Sequence, residues 1–247
     1  MTPTVALTIA GSDPCAGAGI QADLKTFAAL GLYGACVVTA VTAQNSRGVT
    51  AVAAIPPDLV AAQLDAVLGD LPVAAVKVGM LTSVRTAALI AERRLPNLVL
   101  DPVLSASTGD ALGDRDAIGL LLPYATVVTP NRAEAAALTG ESDPAAAARA
   151  LGTAHVVVTG GADAEDLYYH GGAWQTLPGQ RIETRNTHGT GCTFSSAVAA
   201  RLARGDRVPD AVARAKEYVT GALRGAAGWT LGGGAGPLDH FGFGEMA

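Results

Sequence analysis

Short apolar runs recur along the chain, and each is followed by a segment whose apolar residues fall at helical spacing. No other feature constrains the fold as strongly. Residues 5–10, 35–42, 74–78, 98–101, 126–129 and 155–159 read as buried strands, with a shorter one over 49–55. Between them lie one-faced helical segments. One carries Ile20, Leu24 and Phe27 and closes on Gly31; another starts at Pro56-Pro57-Asp58 and carries Val60, Leu64, Val67 and Leu68; a third spans 84–92. Strands alternating with helices predict an α/β fold, a mostly parallel sheet with helices on both faces. Residues 167–170 and 174–178 flank Gly171-Gly172 as a hairpin, with 181–184 extended beyond it. The spacing of Val212, Ala215, Val219 and Leu223 predicts a helix near the end of the chain. Residues 232–237 are a glycine loop, either a flexible end or a loop packed near a ligand. There is no internal repeat and no linker composition, so one domain over 1–247 is expected.

Composition narrows the class of function. The 247 residues are 49% hydrophobic and 16% charged, which predicts a large aliphatic core and excludes disorder. The net charge of −5, without a long basic run, argues against a nucleic-acid partner. Cys15, Cys36 and Cys192 make no CxxC pair and no even disulfide set, so no zinc motif is read from spacing and a reducing cytoplasm is expected. The first residues lack a basic leader, and no apolar run reaches bilayer length. A soluble cytoplasmic protein with a small-molecule ligand and no membrane partner is expected.

In an open α/β sheet, ligands sit outside the carboxyl ends of the strands. The runs here end in Gly11-Ser12-Asp13, Gln44-Asn45, Gly79-Met80, Asp101-Pro102, Thr129-Pro130-Asn131 with Glu134 just beyond, and Thr159-Gly160-Gly161. Loops are polar in any protein, but that alone explains poorly why Asp101 and Glu134 fall at the same edge. The segment Asn186-Thr187-His188-Gly189-Thr190-Gly191-Cys192-Thr193 precedes an apolar helical run of Phe194, Val198 and Leu202. A glycine turn opening a helix leaves backbone N–H groups unpaired and aims the positive end of the helix dipole at one point, which makes an anion site. Cys192 would face the same point, where a helix N-terminus lowers a thiol pKa. Taken alone, the segment fits equally a small buried cysteine after an ordinary turn. Two carboxylates beside an anion site fit a magnesium-bound polyphosphate. Neither a GxxxxGK[ST] loop nor a GxGxxG turn is present, and Gly17-Ala18-Gly19 matches neither.

The residues that carry a family resemblance run the length of the chain in consistent order. They are Ala6-Leu7-Thr8-Ile9-Ala10-Gly11-Ser12-Asp13-Pro14, Ala18-Gly19-Ile20-Gln21-Ala22-Asp23 through Phe27, Thr42-Ala43-Gln44-Asn45, Gly79-Met80-Leu81, Asp101-Pro102-Val103, Thr129-Pro130-Asn131, the 186–193 segment and Gly236-Pro237-Leu238-Asp239-His240-Phe241. The chain resembles the hydroxymethylpyrimidine/phosphomethylpyrimidine kinases of the ribokinase superfamily. The resemblance implies a ribokinase-like three-layer sandwich, a homodimer, and phosphorylation of a pyrimidine alcohol or its monophosphate by ATP with Mg2+, leading to thiamine diphosphate. It implies that the amides of Gly189, Thr190, Gly191 and Cys192 cradle the transferring phosphoryl group, with Cys192 where many relatives carry an aspartate base. Asp101 and Glu134 would organise magnesium, and Asn131, Thr159 and Gly161 would hold the nucleotide.

Gln44 is the substrate-selecting residue in that scheme, since a primary amide matches the donor–acceptor edge of an aminopyrimidine; without the family it reads as a loop glutamine. Asp23 would accept a hydrogen bond from the substrate, or else is a helix-surface carboxylate. Met80 would wall the ring, or else is core. Gly11 and Ala18 would let the backbone close on the substrate.

The chain also departs from the family. Family members usually read Ala-Lys-Ser-Gly-Asp where this chain has Ala106-Ser107-Thr108-Gly109-Asp110, and Lys-Gly-Gly where it has Thr159-Gly160-Gly161. Cys15-Ala16 replaces a usual Ser-Gly. Two other functions compete: a pyridoxal or pyridoxine kinase of the same fold, against which Gln44 argues, and a non-catalytic pyrimidine-binding protein, which the missing lysines favour.

Overall fold

A computed structural model describes residues 2–106, 109–161 and 164–242. The chain begins with β1 (Val5–Ser12), α1 (Gly19–Ala29), β2 (Tyr33–Asn45), β3 (Gly48–Ala54), α2 (Pro57–Asp70), β4 (Val73–Val78), α3 (Val84–Glu92) and β5 (Leu98–Leu100). It continues with α4 (Arg115–Leu121), β6 (Val127–Val128), α5 (Arg132–Thr139), α6 (Pro144–Ala150), β7 (His155–Val158), β8 (Asp166–His170), β9 (Ala173–Leu177), α7 (Thr190–Ala203) and α8 (Val208–Gly225). All nine strands join one sheet in the order β3-β2-β1-β4-β5-β6-β7-β8-β9. The six from β2 to β7 in that order are parallel, β3 and β8 run antiparallel to them, and β9 pairs antiparallel with β8. The chain steps outward from β1 to β2 and then returns to place β4 on the other side of β1. That reversal opens a crevice at the strand ends.

Strand alternation divides the sheet's side chains between two helical layers. Ala6, Ala75 and Val99 pack with Phe27 of α1, Phe194 of α7 and Val212 of α8. Leu7, Ile9, Val76, Val78 and Leu100 pack with Val60 and Leu64 of α2, Ile90 of α3 and Ile118 of α4. These are the three layers expected, around a mostly parallel sheet. Pro57 sets the first turn of α2, and a reciprocal capping box between Asn131 and Glu134 starts α5. Residues 181–184 form no strand. Arg181 instead pairs with Glu183 two residues on, at 2.8 Å, along the rim of the crevice.

The glycine loop is docked. Gly234 N–H donates to Ser46 Oγ (3.1 Å), and a Cβ there would lie 1.9 Å from Ser46 O, so only glycine lets the loop close on the β2–β3 turn. No helix among the described residues is long and apolar enough to cross a membrane.

Candidate active site

The crevice is a cleft of about 590 Å³. Three glycines bring its walls together. Gly189 caps α7 at φ 84°, and a Cβ on it would fall 1.8 Å from Gly17 O. A Cβ on Gly17 would meet the His188 ring at 2.2 Å, and Gly19 sits at φ 58° against Gly11 O. The loop after β1 and the start of α7 therefore touch backbone to backbone. No side chain caps α7; the Thr190 N–H turns back to Thr187 O (3.2 Å), and the first-turn amides of Gly191 and Cys192 open on the cleft.

Of the residues expected at the site, all but Asp23 line this cleft. Gln44, Met80, Gly11 and Ala18 lie at one end, Asn131, Thr159 and Gly161 at the other, and Asp101, Glu134 and the 189–192 turn between them. Gly11 lines the cleft next to Met80. A Cβ there would come within 3.1 Å of Met80 Sδ, so the glycine makes room for Met80. Ser107 and Thr108 lie outside the described residues.

Asp23 requires correction. It is fully buried and does not reach the cleft. It accepts from Thr8 Oγ1 (2.6 Å), Ser196 Oγ (2.7 Å) and both ways from Lys77 Nζ (3.0 Å). Lys77 also stands 3.3 Å from Asp101 Oδ2 and lines the cleft floor. Burial alone draws the Lys77 pKa down, but the Asp23 and Asp101 carboxylates outweigh it and hold the ammonium above the usual lysine range. Sequence reasoning missed Lys77, although a lone lysine in the strand Val-Ala-Ala-Val-Lys-Val must find a partner. With Lys77 on Oδ2, Asp101 turns Oδ1 toward Gly191.

Cys192 also departs from expectation. Burial, reinforced by the Asp101 and Asp23 carboxylates, pushes its thiol up to about 12, against the opposing pull of Lys77 and of the Gly19 N–H. The helix N-terminus does not make it a thiolate. Glu134 rises to about 7 through burial and the Asp101 charge. The Asp101 charge disfavours ionisation of Glu134, and a divalent cation held by the two would relieve that repulsion.

Asp13 and His188 were also missed as site residues. Asp13 is held down at about 2: burial raises it, but the His188 bond and the amides of Ala18 and Cys15 prevail. Being ionised, Asp13 only accepts, so the proton of the 2.9 Å contact sits on His188 Nε2. The Gln44 amide lies 3.2 Å from Thr42 Oγ1 and 3.5 Å from His188 Nε2. Thr42 sends its one proton to Ser12 O at 3.0 Å. That proton is shared with Gln44 Oε1, and Gln44 Nε2 is the amide atom that faces His188 Nε2. At the opposite end, Lys216 of α8 reaches the cleft, paired with Asp166 at 2.6 Å.

A family model described as phosphomethylpyrimidine kinase matches residues 13–239. The chain belongs to that family. It is 51% identical over 257 residues to the hydroxymethylpyrimidine/phosphomethylpyrimidine kinase of Rhizobium meliloti (strain 1021), covering 96% of this chain and 97% of that protein. It is 48% identical over 254 residues to the thiamine biosynthesis bifunctional protein ThiED of Geobacter sulfurreducens, covering 95% of this chain and 51% of that longer protein. Among solved structures, the ADP complex of Bacillus subtilis pyridoxal kinase superposes with a TM-score of 0.86 at 36% identity, covering 98% and 99% of the two chains. As a member of this family, the kinase is a phosphotransferase.

Proposed function

We infer that the kinase transfers the terminal phosphoryl group of ATP to 4-amino-5-hydroxymethyl-2-methylpyrimidine, to its monophosphate, or to both, in thiamine biosynthesis. Gln44 carries this inference. Its amide is fixed by Thr42 on one side and His188 on the other, and presents a donor and an acceptor to the Met80 end of the cleft. An aminopyrimidine edge offers the matching acceptor and donor, whereas a pyridine ring has no amino group. Likeness to a pyridoxal kinase favours pyridoxal as the second acceptor to test.

The chemistry is positioning and charge neutralisation, which a loose phosphoryl-transfer transition state mainly requires. The first-turn amides of α7 cradle the transferring group. Asn131, Thr159 and Gly161 hold the nucleotide at the far end. Asp101 and Glu134 would hold Mg2+, whose role is to neutralise charge on the phosphates. Cys192, a neutral thiol, orients the acceptor hydroxyl rather than taking its proton. Lys77 screens the Asp101 charge from the incoming phosphates. We place the enzyme in the cytoplasm, consistent with its three free cysteines. We also assign it as a homodimer, supported by an exposed apolar β2–β3 edge.

The test is product analysis by mass spectrometry with Mg-ATP and each acceptor in a separate tube. Phosphorylated pyrimidine from either of the first two is expected. Phosphorylation of pyridoxal alone overturns the Gln44 assignment, and binding without turnover reduces the protein to a pyrimidine-binding one.

A further inference from the structure

Among the described residues, one trio of metal-ligating side chains of mixed chemistry converges: Asp13, Cys15 and His188, whose ligand atoms all lie within 4.8 Å of one another. No sequence spacing announces it, because His188 is 175 residues from Asp13. We propose that these three side chains form a site for a thiophilic divalent cation of the zinc class, and that filling it interferes with the pyrimidine's place at Gln44.

Asp13 Oδ2 lies 2.9 Å from His188 Nε2 and 3.4 Å from Cys15 Sγ. In each contact a proton sits between two atoms that both ligate metals. Binding a cation releases the Cys15 thiol proton and shifts the His188 proton from Nε2 to Nδ1, leaving carboxylate, thiolate and imidazole on one centre. Zinc bonds of about 2.0 Å to O and N and about 2.3 Å to S set O···N near 3.3 Å and O···S near 3.5 Å in a tetrahedron. The site is thus within a few tenths of an ångström of that geometry for both contacts.

The surroundings hold two of the ligands in place. Asp13 is oriented by N–H groups of Cys15 (2.9 Å), Gly17 (3.1 Å) and Ala18 (2.9 Å), the outer-sphere support that ligating carboxylates carry elsewhere. The His188 ring is pressed by Gly17, where even a Cβ would not fit. Cys15 is exposed, which gives the ion a route in and leaves a water its fourth position. The consequence for the substrate follows from His188: once Nε2 ligates metal, it offers neither a proton nor a lone pair to the Gln44 amide 3.5 Å away. This second half rests on the pyrimidine assignment of Gln44.

Cobalt titration separates the two halves. With excess Mg2+ present, one equivalent of Co2+ is expected to give the charge-transfer absorption of a cobalt thiolate, displaced by Zn2+. The band should vanish in Cys15→Ser and persist in Cys36→Ser and Cys192→Ser. Zinc affinity should fall at least about 10-fold in Cys15→Ser, the lower bound for losing even an outer-sphere partner. Cys15 is a surface residue outside the cleft, so Cys15→Ser should match the parent in melting temperature and zinc-free turnover. Zinc should raise the pyrimidine KM of the parent and leave that of Cys15→Ser unchanged. No band in the parent, or a band that survives Cys15→Ser, overturns the site whatever the enzyme's substrate proves to be. A band with an unaltered pyrimidine KM overturns the interference alone.

Discussion

Lys77 carries the positive charge of the cleft floor, and Cys192, which also lines the cleft, is a neutral thiol. Lys77 is locked by Asp23, and removing one member of a buried pair leaves the other uncompensated. Lys77→Met should therefore destabilise the fold by about 3–5 kcal/mol in chemical denaturation. Adding Asp23→Leu should restore a good part of that loss. A single-variant cost below about 1 kcal/mol would mean that Asp23 is not charged in the folded protein. Cys192 leads to a kinetic prediction. With its thiol at about 12, it stays protonated at neutral and mildly alkaline pH, so kcat should show no limb from its titration between about pH 6.5 and 9. Cys192→Ala should lower kcat by less than about 100-fold, the low end for a general base, with the pyrimidine KM within a few-fold. A rising limb that disappears in Cys192→Ala would restore the thiolate as base.

Helix α7 is the element that joins core to chemistry. Its small residues Ser195, Ser196, Ala197, Ala199 and Ala200 are buried against the sheet, which brings its N-terminus down onto the strand ends. Gly189 is the hinge of that approach. Gly189→Ala faces both a left-handed φ and the Gly17 carbonyl, and should cost at least about 2 kcal/mol and most nucleotide affinity, read by thermal melting and calorimetry. Elements with strong local signals were legible in the sequence. The glycine turn and the apolar parallel strands fell where expected. Position at the cleft was legible for the same reason, because parallel strands deliver their following residues to one edge. Long-range pairings were not. Asp23 lies 54 residues from Lys77, and the one-face periodicity of α1 cannot say whether a carboxylate meets solvent, substrate or a lysine. Residues 181–184 show the complementary failure, since alternation there has no neighbouring strand edge to pair with. The thiol of Cys192 was misjudged because the helix dipole, the visible influence in sequence, is outweighed by burial and by carboxylates from other elements.

At the scale of the molecule, reversal of strand order at β1 creates the crevice, and the β2–β3 arm forms one edge of the sheet. Val41 and Val52 on that arm are 48% and 41% exposed, apolar surface that a free sheet edge seldom leaves uncovered. Val52→Asp should shift the protein from dimer to monomer in sedimentation velocity, and a parent that sediments as a monomer would refute the assignment. The central claim is that this cleft reads an aminopyrimidine through Gln44 and phosphorylates it. Its most direct test is the ratio of kcat/KM for hydroxymethylpyrimidine over pyridoxal, measured in the parent and in Gln44→Met. Two hydrogen bonds worth about 1–1.5 kcal/mol each predict a parental preference on the order of 100-fold that collapses in Gln44→Met, with the KM for ATP unchanged. A parent that prefers pyridoxal, or a ratio that Gln44→Met leaves where it was, would contradict the account.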